Sequence, residues 1–139
     1  MKLSRKILAK VEELKVIESD LEDLYNDGSI SEEVYGNVIV AVTEAFLNAV
    51  NHGSNMDETK LIDFVLTLEE KEIEVVIKDS GNGFDLGSLP DPTDPENIEK
   101  GSGRGIFIMK NLADEIEFED KGSKVVMRFK QGKKQAVGA

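Results

Sequence analysis

Leu3 and Ile7, either side of the charged Arg5 and Lys6, outline only a short and weak strand over Leu3 to Leu8. From Val11 the spacing turns helical, with Leu14, Ile17, Leu21 and Leu24 at steps of three and four on one stripe. Asn26-Asp27-Gly28 supplies the stop. Ser31 is placed to cap a second helix, and Glu32 and Glu33 sit well in its first turn. That helix, about Ser31 to Asn51, has a buried stripe of Ile39, Val42, Phe46 and Val50, flanked by Val38, Ala45 and Ala49. Glu44, Asn48 and His52 recur at every fourth position on a different side, so a carboxylate and an amide stand one turn apart.

The period then changes to two. Ile62, Phe64, Leu66 and Leu68 alternate, as do Ile73, Val75 and Ile77 after Glu69-Glu70-Lys71, which predicts an antiparallel hairpin with a solvated turn. Ser80 to Gly105 has no apolar periodicity and holds six of the twelve glycines and all three prolines. A loop of that length inside a compact domain is usually functional. A short helix is expected from Gly105 to about Leu112, with Ile106, Met109 and Leu112 inward. Ile116 and Phe118, then Val125, Met127 and Phe129, predict a second hairpin around Lys121-Gly122. The expected fold class is α+β: a two-layer sandwich of a mixed, mostly antiparallel sheet with helices on one face. Residues 1–130 are read as one domain and 131–139 as a disordered tail.

Composition narrows the function. With 40% hydrophobic and 32% charged residues the chain is ordinary for a globular domain. A net charge of −11 speaks against nucleic acid, and Lys133-Lys134 is too small a basic patch to reverse that. The same field suits a basic protein partner. The absence of cysteine excludes disulfides and thiolate metal sites. The charged N-terminus and the lack of a long apolar window point to a soluble, cytoplasmic protein with no membrane contact.

Three clusters offer chemistry: Glu44 to Gly53, Asp79-Ser80-Gly81-Asn82-Gly83-Phe84, and Gly101-Ser102-Gly103-Arg104-Gly105. Asp79 stands where a strand stops, and a carboxylate there accepts a hydrogen bond from an exocyclic amine. Gly81 and Gly83 let the backbone bend and approach a flat ring. Taken alone, this cluster reads better as an exposed Asp-Ser-Gly turn, a preference that the two other clusters reverse. Glycines before a helix present backbone N–H groups and a dipole to phosphate without net positive charge, and Arg104 adds a charge-assisted contact. Taken alone, such a run is commonly only a flexible connection. Asn48 offers a neutral oxygen suited to magnesium, which keeps several waters and takes phosphates as ligands. Glu44 and Asn48 fit the polar face of an amphipathic helix, yet they interrupt a nearly continuous apolar run from Val38 to Val50.

Together and in this order, the clusters resemble the Bergerat-type ATPase fold shared by gyrase, histidine kinase catalytic domains and anti-sigma kinases, over roughly Ser31 to Phe129. The anti-sigma regulatory factor serine/threonine kinase branch is the most similar, because Leu89-Pro90-Asp91-Pro92 and Gly103-Arg104-Gly105-Ile106-Phe107-Ile108 look like its short lid. The resemblance implies Asp79 on the adenine amino group, with Gly81, Gly83 and Ser123 nearby. It implies Gly101, Ser102, Gly103, Arg104 and Gly105 around the phosphates, Asn48 on Mg²⁺ and Glu44 as general base. His52 falls within an Asn-x-x-x-His-Gly pattern and is read as structural rather than as a phosphoacceptor. The branch's partner-gripping arginine near the first helix has no counterpart here, where Lys10 and Lys15 stand instead.

The implied function is ATP-dependent phosphorylation of a serine or threonine on an antagonist protein in a partner-switching system. A sigma factor or similar regulator is the implied second partner, and a homodimer the implied assembly. The alternative is a non-catalytic, ATP-gated protein-binding switch, against which an intact Glu44 discriminates. A detached ATPase domain serving another phosphorelay is disfavoured by the short lid.

Overall fold

A computed structural model of the chain describes residues 1–53, 58–79, 101–119 and 123–131, without the side chains of 52, 53 and 101–104. Gly81, Gly83, the proline-bearing segment through Lys100, and the Lys121-Gly122 turn lie outside the described residues.

The elements follow the predicted order: β1 (Lys2–Leu8), α1 (Leu14–Asn26), α2 (Glu32–Asn48), β2 (Leu61–Glu69), β3 (Glu72–Asp79), α3 (Gly101–Leu112), β4 (Glu115–Glu119) and β5 (Lys124–Lys130). The sheet order is β1-β2-β3-β5-β4. Every neighbouring pair is antiparallel, so the mixed sheet expected from the sequence is antiparallel throughout the described residues. Glu69 faces Glu72 across a two-residue turn, which fixes the β2–β3 register and sends one alternating set of side chains inward. That set is Ile62, Phe64 and Leu66 on β2, Ile73, Val75 and Ile77 on β3, and Val125, Met127 and Phe129 on β5, all buried. The opposite face carries charge: Arg128 bridges Glu74 at 3.1 Å and Glu117 at 3.2 Å.

In α2 the deepest residues are Val38, Ala41, Val42 and Phe46, while Ile39 is half-buried, so the buried stripe is turned slightly from the predicted one. The weak signal for β1 has a physical cause. Arg5 pairs in register with Phe64 and therefore points to the helix-covered face. There its guanidinium forks onto Asp20 of α1, with Nη2 to Oδ1 at 2.8 Å. An inward charge on an edge strand breaks the alternation, and a buried carboxylate on the helix satisfies it.

Three helix ends differ from the sequence reading. Ser31 has extended cap geometry, but its side chain makes no capping bond. Gln131 occupies that corner instead, its Oε1 accepting from the Ser31 N–H at 2.9 Å while Nε2 donates to the Ser29 carbonyl. Gln131 is 7% exposed, so the first residue assigned to the tail belongs to the folded domain. α2 ends at Asn48 in a five-residue π-helical turn, Ala49–Gly53. α3 begins at Gly101 rather than Gly105. Among the described residues no helix is long and apolar enough to cross a membrane.

Candidate active site

Asp79 is the last residue of β3, on the inward set that also holds Ile77. Its N–H donates to the Ser123 carbonyl at 2.9 Å and extends the β3–β5 ladder by one step, so the two residues stand side by side on neighbouring strands. Asp79 is 5% exposed and Ser123 7%. Both line a cavity of about 20 Å³ whose other walls are Ala45, Asn48, Ala49, Ile77, Met109, Phe118 and Val125. That space holds little more than one water. A flat heteroaromatic ring is larger than this space and enters only as its walls move apart. The chemistry of the walls suits such a ring: apolar faces and one buried carboxylate as acceptor.

Glu44 and Asn48 lie one turn apart on α2, both half-buried. They face α3 at Gly105, where a Cβ would stand 3.0 Å from Glu44 Oε1 and 3.7 Å from Asn48 Oδ1. Asn48 thus belongs to two surroundings, the Asp79 cavity on one side and the α2–α3 contact on the other. The shift of the α3 start changes which donors are free. The first N–H groups of a helix lack internal partners, and among the described residues here they belong to Gly101, Ser102 and Gly103, while the N–H of Arg104, one turn in, begins the helix's own ladder. The side chains of Ser102 and Arg104 are not among those described.

Residues 7–129 match the histidine kinase-like ATPase domain. The chain belongs to that family. ATP binding follows from membership in this ATPase family. One relative is the serine-protein kinase RsbW of Oceanobacillus iheyensis, 32% identical over 92% of this chain and 85% of its own length. Another is the anti-sigma F factor of Clostridium perfringens, 34% identical over 65% of this chain and 68% of its own. A solved structure of the RsbU and RsbW domains of a Mycobacterium tuberculosis protein shares the fold, with a TM-score of 0.62 at 15% identity. It is matched over 94% of this chain and 32% of its own, so the present chain spans about a third of that protein.

Within this ATPase domain the structure brings together Glu44, Asn48 and Gly105 at one contact, and Asn48, Asp79 and Ser123 at one cavity. Sequence reading placed Ala45, Ala49, Ile77, Met109 and Val125 in the core without seeing that they also wall the cavity. The signal was available for two of them. Ile77 lies two residues before Asp79 and Val125 two after Ser123, so each shares a sheet face with its polar neighbour. Phe118 came from an element with no chemical motif, and Met109 from the apolar face of α3 beyond its glycine cluster, so both needed the tertiary fold. Among the described residues no three His, Cys, Asp or Glu side chains converge to hold a metal ion.

Proposed function

We propose that this chain is an ATP-dependent protein serine/threonine kinase of the anti-sigma type, acting in a partner-switching system. The observation that carries the reading is the double placement of Asn48, which joins the Asp79 cavity to the Glu44–Gly105 contact. A base-binding end and a reacting end then share one residue, as a nucleotide spanning both requires.

In this reading Asp79 accepts a hydrogen bond from the adenine amino group while Ile77, Val125 and Met109 cover the ring faces. The free N–H groups of Gly101, Ser102 and Gly103 face the phosphates from the α3 N-terminus, with Arg104 as the adjoining cation, which answers how an acidic protein holds an anion. Gly81 and Gly83 complete the adenine side. Asn48 Oδ1 fits magnesium as a neutral ligand, and the lack of a carboxylate cluster is no obstacle, because this ion takes phosphates and water for its remaining places. Magnesium, when bound, supplies neutralisation of phosphate charge. Glu44 takes the proton of the acceptor hydroxyl as its oxygen bonds to the γ-phosphorus. The bond from that phosphorus to the β,γ-bridging oxygen breaks, and ADP leaves with the electron pair.

The anti-sigma F factor relative supports a sigma factor or similar regulator as the protein to be held, and the serine-protein kinase relative supports a protein acceptor, which this reading takes to be an antagonist protein. The net charge of −11 suits a basic surface on the regulator. A homodimer and a cytoplasmic location belong to the same proposal. The test is capture of bound proteins from the native host with and without ATP, followed by γ-labelled Mg·ATP. We expect label on a serine or threonine of one small captured protein. A partner held tightly, released by ATP and never labelled would favour the non-catalytic switch instead.

A further inference from the structure

Gly105 is the fifth residue of α3, so its N–H is taken up by the helix's own ladder and is not one of the free donors at the N-terminus. Backbone conformation does not demand glycine there either: the positive-φ glycine among the described residues is Gly28. In a helix interior glycine is unfavourable relative to alanine. Space is what remains. A Cβ on Gly105 would lie 3.0 Å from Glu44 Oε1, closer than carbon and oxygen ordinarily approach, whereas the 3.7 Å to Asn48 Oδ1 is ordinary contact. Gly36, inside α2, supplies the comparison, because a Cβ there would meet nothing within 4 Å.

We infer that Gly105 is a positioning residue for Glu44: the bare Cα of α3 is the wall that sets where the carboxylate sits. The contact is selective, tight against the carboxylate and loose against the amide one turn away. A methyl group at 105 displaces Oε1 while leaving Asn48 and the Asp79 cavity as they are. The Glu44 carboxylate must give by a few tenths of an ångström, a fraction of the misplacement of about 1 Å that costs roughly a hundredfold, so the expected loss is roughly three- to tenfold. The catalytic half of the inference rests on Glu44 being the base, as proposed above; the steric half does not.

Two measurements separate these halves. In nucleotide-free protein, Gly36→Ala should raise the melting midpoint by roughly 3 °C through helix propensity. Gly105→Ala should fail to raise it in the presence of Glu44, yet raise it as Gly36→Ala does in the Glu44→Ala background. Equal shifts from Gly105→Ala in both backgrounds would overturn the steric contact. In single-turnover conversion of Mg·ATP to ADP, with water as acceptor, Gly105→Ala should slow the step roughly three- to tenfold. Its ATP dissociation constant should stay within about threefold, and it should add less than twofold to Glu44→Ala. A Gly105→Ala effect that multiplies with Glu44→Ala, or that falls on ATP affinity, would overturn the positioning role with the kinase reading intact. Wild-type speed in Glu44→Ala would instead remove the base and leave the stability comparison to judge the contact.

Discussion

Replacing Asp79 by asparagine keeps the volume and the backbone bond to Ser123 and removes the charge. The residue is 5% exposed, and the other polar walls of its cavity among the described residues, Asn48 and Ser123, are neutral, so no second carboxylate there substitutes for the lost acceptor strength. A hydrogen bond to a charged group is worth about 1.5–3 kcal/mol, which converts to roughly ten- to a hundredfold in affinity for ATP. At a nucleotide concentration about a hundred times the wild-type dissociation constant, the wild type gains about 2.7 kcal/mol of stability from binding. With thirtyfold weaker binding at the same concentration, the variant gains about 0.9 kcal/mol, a third as much. Thermal unfolding with ATP, ADP, GTP and no nucleotide reads this directly, and the nucleotide-free midpoint should stay within a few degrees of wild type. The reasoning is refuted if the variant's ATP shift equals that of wild type, or if wild type responds to GTP as strongly as to ATP.

Asn48→Ala should remove the magnesium dependence of ATP affinity, so that chelating the ion no longer weakens binding; unchanged dependence would place the ion elsewhere. Arg5→Met should cost about 1–2 kcal/mol in urea unfolding, less than a fully buried pair because the Arg5 side chain is 44% exposed, and adding Asp20→Leu should restore most of it. The Tyr35 hydroxyl is held above its ordinary range, first by burial and then by the charges of Glu22, Tyr25 and Glu18. Its neutral form is the one the fold prefers, so this contribution is intact below about pH 10 and lost as pH rises through the raised value. Absorbance titration should show one late phenol that Tyr35→Phe removes, and alkaline unfolding of Tyr35→Phe should begin at higher pH than in wild type.

What was legible in the sequence depended on whether a pattern was local. The hairpins and α1 came straight from periods of two and of three to four. The same arithmetic put Glu44 and Asn48 on one side of α2, and the end of the alternating run put Asp79 where a strand stops. β1 was faint because Arg5 belongs to the inward face only once Asp20 is packed against it. The start of α3 was misplaced because three glycines at alternate positions read locally as a loop, whereas in the fold they open a helix that meets α2 at Gly105. Gln131 read as tail because its hydrogen bonds run to Ser29 and Ser31, about a hundred residues back. The small cavity around Asp79 joins residues from α2, β3, α3, β4 and β5, and no sequence window spans them.

The central claim is that Glu44 carries phosphoryl transfer while the rest of the site binds nucleotide. The most direct measurement is transfer of γ-labelled phosphate from ATP to the captured antagonist protein by wild type and Glu44→Ala, with ATP affinity measured alongside. Glu44→Ala should bind ATP within about threefold of wild type and transfer phosphate roughly 10²–10⁴ more slowly, the usual contribution of a positioned base. Transfer by Glu44→Ala at the wild-type rate, with ATP bound equally well, would contradict the claim.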